Sequence, residues 1–155
     1  ELAIWTGQRQ GDLLRLRWSD YDGSRIKLRQ SKTGKPVSVR VAESLKVMLD
    51  QTARRGPFIL TNSRGIPWTA DGFRASWAKT CARAGIAGLT FHDLRGSAVT
   101  RLALAGATAA EIASVTGHSL SDVGTMLDRH YLGERAELAD NAIDRLERRN
   151  REQKL

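Results

Sequence analysis

The chain has two tyrosines, and one of them, Tyr131, sits in the stretch LDRHYLG beside His130. A phenol among polar residues is either a ring that buries itself and bonds its hydroxyl or a nucleophile. As a nucleophile it needs partners, because a reference pKa of about 10 keeps it protonated at neutral pH. Groups able to partner it are spread along the chain. Arg9 follows a glycine turn in TGQRQGDLL, which also holds Asp12. Lys32 lies in SKTGK, His92 and Arg95 in FHDLRG, and His118 in TGHS. His92 and Arg95 are three apart, which on a helix lets both point at one object. Two guanidiniums are permanently cationic and can each fork onto two oxygens, so together they suit an oxyanion.

The charge balance fits a polyanion. Lys and Arg number 25 against 17 Asp and Glu, a formal net charge of +8. Such an excess favours nucleic acid through counterion release and steering, and says nothing of fold. Cys81 is the single cysteine, which excludes a disulfide within the chain and a cysteine-based zinc site and fits a reducing, cytoplasmic setting. No apolar run approaches the ~20 residues that span a bilayer, and no signal peptide is visible. The first residues, ELAIWTGQR, read as the end of a helix, so the chain is expected to be a piece of a longer protein.

The elements that must position these groups are mostly helical. Residues 1–6 end a helix at Gly7, and RQGDLLRLRW restarts one with Leu13, Leu16 and Trp18 facing inward. The stretches 25–30 and 36–41 alternate around SKTGK, a hairpin with Gly34 in its turn. Residues 43–54 have helical spacing at Leu45, Met48 and Leu49, and FILTN (58–62) reads as a third short strand. Beyond residue 70 the periods are helical. Phe73, Trp77 and Cys81 share a face, Gly85 ends that helix, and Leu94, Ala98 and Leu102 share the next. Thr108 and Glu111 make a capping box, and 120–131 is a further helix. A final helix over 134–150 carries a stripe of Leu138, Ala139, Ala142, Ile143 and Leu146. The expected class is α+β, mainly α-helical, with a small antiparallel three-stranded sheet on the N-terminal side, in a single domain over 1–155. The four tryptophans, Trp5, Trp18, Trp68 and Trp77, read as core rather than stacking platforms.

TGQR, GDL, WSD, SKTG, H-x-x-R, TGH and the terminal tyrosine, in this order, make the chain resemble the catalytic domain of the tyrosine recombinases, the phage integrase family. The lambda-type segments from TGQR to SKTG are especially similar, and the resemblance runs from residue 6 to about 133. Tyr131 lies thirteen residues beyond His118, a longer interval than in many members, but Tyr21 in SDYDG offers no rival. The resemblance implies the tyrosine-recombinase catalytic-domain fold and a site-specific recombinase that breaks and rejoins DNA without metal or ATP. Arg9 and Arg95 would stabilise the phosphate in the transition state, and His118 would add a donor to it. Tyr131 would attack, His92 would serve as base, Lys32 would protonate the leaving 5′-oxygen, and Asp12 would orient the site. The product would be a 3′-phosphotyrosine bond and a free 5′-hydroxyl.

The resemblance also implies double-stranded DNA as partner, self-association into a tetramer on it, and a preceding DNA-binding domain outside this chain. Residues 134–155 are candidates for exchange between protomers. No cofactor is implied, and the setting would be the nucleoid. Arg29, Lys35, Arg74, Lys79, Arg101 and His130 are candidate DNA contacts, each also explicable as a lone surface charge or, for His130, a structural residue. Two other readings compete. AAEIASVTGHSLSDVGTML could be a helix-turn-helix in a non-catalytic DNA-binding module. A type IB topoisomerase would share the chemistry, although the small domain and lambda-type segments argue against it.

Overall fold

The computed structural model describes residues 1–130 and 135–153. Helix α1 (Leu2–Thr6) ends at Gly7, which has a φ of 61°. A Cβ at Gly7 would lie 2.7 Å from the Thr116 Cγ2, so this turn requires glycine both for its backbone and for its contact. Helix α2 (Gln10–Leu14) is shorter than its sequence pattern suggests. Arg17 instead bridges to Phe58, and Trp18–Asp20 make a 3-10 turn. Asp20 closes that turn by accepting the Arg17 N–H at 2.8 Å, a bond that competes with helix continuation.

Strands β1 (Arg25–Arg29) and β2 (Pro36–Arg40) pair antiparallel, with Arg25 opposite Arg40 and Arg29 opposite Pro36. Alternation buries Ile26, Val37 and Val39 and turns the charged residues outward. Among the described residues the sheet has two strands, and the expected third is not found in it. Residues 58–62 make only isolated bridges, Phe58 to Arg17 and Thr61 to Pro67. The cause is local: this segment pairs with residues 16–18, at the entry to the 3-10 turn, through Ile59 N–H to Leu16 O and Trp18 N–H to Pro57 O. A proline on one side and the Asn62–Gly65 turn on the other leave no length for a ladder.

Helix α3 (Glu43–Gln51) buries Leu45 and Leu49. Helix α4 (Ala70–Arg83) is capped by the Thr69 hydroxyl and buries only Cys81; Phe73 and Trp77 are half-buried. Their rings meet Phe91 edge-on, at 4.9 and 5.2 Å between centroids, and so brace the chain just before α5 (Asp93–Leu104). Helix α6 (Ala109–Thr116) starts with the expected Thr108–Glu111 capping box and stops at Gly117, φ 71°. Helix α7 (Leu120–His130) follows. Helix α8 (Arg135–Glu152) touches the rest through Asn141, which donates to Leu104 O, and Arg145, which donates to Gly106 O. Two residues of its expected apolar stripe, Ile143 and Leu146, are 56% and 54% exposed. Among the described residues no helix is long and apolar enough to cross a membrane.

Two hydrophobic cores result. The front one joins Leu13, Leu16, Trp18, Ile26, Leu45 and Leu49, with Leu94 against it; the rear one joins Val99, Ala103, Ile112 and Val123. Each fully buried aliphatic side chain contributes about 1.5–3 kcal/mol. Of the tryptophans only Trp18 is fully buried; the other three are half-buried. Helix α5 reaches both cores. Where it passes between them, the buried residues become polar: Thr6, Gln8, Asp12, Gln30, Arg95 and Thr116.

Candidate active site

Arg95, in the first turn of α5, is 2% exposed. Its Nη1 donates to Gly7 O and, at 2.7 Å, to Thr116 O; its Nε donates to His118 Nε2 at 2.9 Å. One carbonyl comes from the turn after α1 and the other from the last turn of α6, so a single guanidinium ties the front of the chain to its rear. Both carbonyls are available because their helices end there. The Arg95 Nη2 is buried with no hydrogen-bond partner among the described residues. Burial and the nearby Arg9 charge lower the Arg95 pKa to about 10. It stays cationic at neutral pH, as a buried charge with donors to spare.

Arg9 sits at the N-cap of α2 in an extended conformation. Its Nη1 donates to the Gln30 Oε1 at 3.1 Å. Gln30 is fully buried and uses its whole carboxamide. The Oε1 also accepts from the Thr33 hydroxyl, and the Nε2 donates to Gln8 Oε1 at 2.7 Å and Thr116 O at 2.9 Å. Arg9 and Arg95 therefore belong to one network, through Gln30 and the Thr116 carbonyl. Gly117 makes room for it: a Cβ there would collide with the Gln30 carboxamide. Asp12 does not neutralise this pair by a direct hydrogen bond. Its Oδ1 accepts from Ser31 N–H, the Ser31 hydroxyl and Arg15, which pins the start of the hairpin turn to α2. Its Oδ2 is buried without a partner among the described residues.

His118 follows the Gly117 turn. Its Nδ1 is 2.8 Å from the Thr116 hydroxyl oxygen, and that hydroxyl donates to Ile112 O at 2.7 Å. Burial, Arg95 and Arg9 lower the His118 pKa to about 4, with Asp122 opposing, so the ring is neutral at pH 7. In this arrangement Nε2 accepts from Arg95. The donor expected to face a phosphate is here an acceptor facing a guanidinium.

His92 precedes α5 and is exposed. It lines an open cleft of about 700 Å³ with Arg95, Arg101, His118, Met126 and Arg129. His92, Arg95 and His118 thus line one cavity. Lys32 is exposed in the hairpin turn, with no side-chain hydrogen bond among the described residues. Tyr131 lies outside the described residues, and so does the side chain of His130 at the end of α7.

The candidate DNA contacts separate. Lys35 reaches the turn after α6, its Nζ 3.4 Å from His118 O. Arg101 lines the cleft with its guanidinium over Trp5. Arg29 donates to Gly34 O and borders a second cleft, of about 710 Å³, between the hairpin and the α2–3-10 segment. Arg74 pairs with Asp71 on exposed α4, where Lys79 also lies. Gln8, Gln30, Thr116 and Arg129 were not among the sequence candidates. Among the described residues no group of three His, Cys, Asp or Glu side chains gathers as a metal site would.

A buried guanidinium with unspent donors beside a second cation has the donor set that suits an oxyanion. The chain is 35% identical over 121 residues to a shufflon-specific DNA recombinase of Escherichia coli, covering 76% of this chain and 30% of that protein. It is 33% identical over 144 residues to the integrase of Mycobacterium phage L5, covering 76% and 39%. It therefore spans well under half the length of these two relatives. Among solved structures, a lambda integrase dimer bound to a COC′ core site superposes with a TM-score of 0.72 at 26% identity, over 86% of this chain and 51% of that one. The model of the phage integrase family matches residues 1–133, and the chain belongs to that family.

Proposed function

We propose that this chain is the catalytic domain of a site-specific recombinase that cuts and rejoins double-stranded DNA through a 3′-phosphotyrosine intermediate, without metal or nucleotide cofactor. The observation that carries this is Arg95: buried, anchored on two backbone carbonyls, next to Arg9, with Nη2 unpartnered among the described residues. Donors fixed before the reaction stabilise developing phosphoryl charge without reorganisation and supply about 3–4 kcal/mol each in related sites.

In this reading the scissile phosphate lies in the cleft against Arg95 and Arg9. The Tyr131 oxygen attacks phosphorus while His92 takes the phenolic proton. The bond from phosphorus to the 5′-oxygen breaks, and Lys32 protonates that oxygen. A 5′-hydroxyl from a second duplex then attacks the phosphotyrosine, releasing Tyr131 and restoring the phosphodiester. Asp12 holds the Lys32 turn through Ser31, and His118 aligns Arg95.

The lambda integrase relative bound to its core site as a dimer supports duplex DNA and further copies of this chain as partners. The exposed Ile143 and Leu146 on α8 fit a helix that docks on a neighbouring protomer. The share of its relatives that the chain covers fits a longer protein, and the family reading adds a second DNA-binding domain ahead of this one. The helix pair around Gly117 offers less to a non-catalytic reader, because its turn is committed to Arg95 and His118.

A nicked DNA substrate that loses the fragment beyond the cut tests the proposal. Full-length protein should form a covalent protein–DNA adduct, and Tyr131→Phe should abolish it while the gel mobility shift persists. A shift with no adduct from the unaltered protein overturns the enzyme. Relaxation of supercoils without a defined site would make it a topoisomerase instead.

A further inference from the structure

Gln30 is fully buried, and all of its carboxamide is in use. Its Nε2 donates to Thr116 O at 2.9 Å and to Gln8 Oε1 at 2.7 Å; its Oε1 accepts from Arg9 Nη1 at 3.1 Å and from the Thr33 hydroxyl at 2.9 Å. That is the whole capacity of an amide, two donors and two acceptor lone pairs. We propose that Gln30 is a positioning residue of the phosphate pocket: its Oε1 fixes the Arg9 guanidinium and, being neutral, leaves that cation's charge for the scissile phosphate.

The carboxamide is oriented from both ends. A backbone carbonyl only accepts, so the NH2 must face Thr116 O; an arginine only donates, so the oxygen must face Arg9. Gln8, 1% exposed, is oriented in the same way. Its Nε2 donates to Thr6 O and Val115 O, both at 2.9 Å, which turns its Oε1 to Gln30. A relay of two carboxamides thus runs from the carbonyls that end α6 to Arg9. Arg9 is half-buried and makes no other side-chain hydrogen bond among the described residues, so its Nε and Nη2 are left for phosphate oxygens. The same Gln30 oxygen receives the Thr33 hydroxyl, from the turn that carries Lys32. Charge explains why the holder is an amide. A carboxylate in its place would orient Arg9 as well but neutralise it. Asp12, the one buried acid among the described residues, bonds to Ser31 and Arg15 instead. A donor held in place beforehand stabilises developing charge without reorganisation.

This assignment rests on the recombinase reading for its part in the reaction but not for its geometry, and two readouts separate them. The first is the ¹⁵N–¹H spectrum of the Arg9 guanidinium in arginine-labelled protein, identified by its loss in Arg9→Lys. Held at one nitrogen, the group should show separate Nη1 and Nη2 signals. Gln30→Met, which keeps the length of the side chain and removes the acceptor, should merge them. The second is the rate of cleavage of nicked DNA carrying either an ordinary phosphate or a neutral methylphosphonate at the scissile position. Gln30→Met should slow cleavage of the ordinary substrate by about 10- to 100-fold, the cost of a misplaced group at the reacting centre. It should slow the methylphosphonate by no more than about 3-fold, because that group brings one negative charge fewer for Arg9 to stabilise. Gln30→Asn keeps a carboxamide in the seam but withdraws it from Arg9, and it should show the same selective loss if Gln30→Met does not fold. Averaged Arg9 signals in the unaltered protein overturn the assignment, and so does an equal slowing of both substrates, the mark of a general loss of structure. If the unaltered protein cleaves neither substrate, the recombinase reading fails, and the spectrum alone decides the role of Gln30.

Discussion

Arg95 and Lys32 are both cations assigned to one cleft, yet the fold treats them in opposite ways. Arg95 is 2% exposed and commits its Nε and Nη1 to Gly7 O, Thr116 O and His118. Lys32 is exposed in the hairpin turn and has no side-chain hydrogen bond among the described residues, and His92 resembles it in both respects. The difference follows the chemistry proposed for each. A group that stabilises charge on phosphorus acts best when fixed beforehand, because reorientation during the reaction would consume the benefit. A group that moves a proton must reach an oxygen whose position changes as its bond breaks, and it must exchange its own proton with solvent. The buried half doubles as structure, since the same bonds close two helix ends and join two cores. The exposed half carries no such duty.

The sharpest way to break this contrast is Arg95→Ala. Adduct formation should fall about 10³-fold, some 4 kcal/mol for loss of a preorganised donor. Stability should fall too, because the Gly7 carbonyl loses its side-chain partner inside the seam; an unpaired buried polar group costs about 1–3 kcal/mol. Urea unfolding measures the second effect and the nicked-DNA assay the first. Arg95→Lys sharpens the result, since it keeps charge but cannot span Gly7 O, Thr116 O and His118 together. An Arg95→Ala protein that unfolds at the unaltered urea midpoint would show that the seam does not hold the cores.

Lys32→Ala should separate the two effects. The adduct rate should drop about 100-fold, within the range of general acids, while stability stays within about 0.5 kcal/mol, as for other surface changes. A substrate with sulfur in place of the bridging 5′-oxygen adds a diagnostic, because a thiolate leaves without a proton. It should restore cleavage by Lys32→Ala and leave Arg95→Ala inactive. Failure of that rescue would remove Lys32 from the role of acid.

The motif residues were the more legible in sequence. Lys32, His92 and Arg95 stand in short motifs, the last two spaced three apart as on one helical face, and the hairpin declared itself by alternation around Gly34. The polar seam was hidden because each of its residues looks ordinary alone. A signal existed nonetheless. Alternation along β1 turns Ile26 and Leu28 inward, and the next inward position is Gln30. On α6, Thr116 stands one turn after buried Ile112 on the same face. A polar residue on an apolar stripe needs a partner, and here the partners lie at 86 and 21 residues' separation, which no local pattern reveals. The third strand failed for a related reason. FILTN has strand-like composition, but its neighbour in space was a bridge beside a 3-10 turn rather than the hairpin edge. The exposed stripe of α8 was correctly read as amphipathic, and a helical period names a face without naming the surface that covers it.

The mildest test concerns protons at His118, the residue that joins the fixed half to the solvent side of the cleft. Its pKa is about 4 in the fold against 6.5 for a free histidine, through burial and the charges of Arg95 and Arg9, with His92 adding slightly and Asp122 opposing. The Lys35 ammonium also lies on this turn. The unfolded chain therefore binds a proton at this site between about pH 6.5 and 4 that the folded chain refuses. Stability must then fall as pH drops through that window and be independent of His118 above it. Asp93, Glu111 and Asp122 have pKa values lowered by their capping bonds, and their contribution is lost at lower pH, as they protonate. The range from about pH 7 to 5 isolates the histidine. Urea unfolding over that range should show a decline for the unaltered protein that His118→Gln flattens, after allowance for the other two histidines by the same measurement on His92→Gln and His130→Gln. An unchanged slope in His118→Gln would mean that the ring takes up its proton as readily in the fold as in the unfolded chain, so that neither burial nor Arg95 resists its charge.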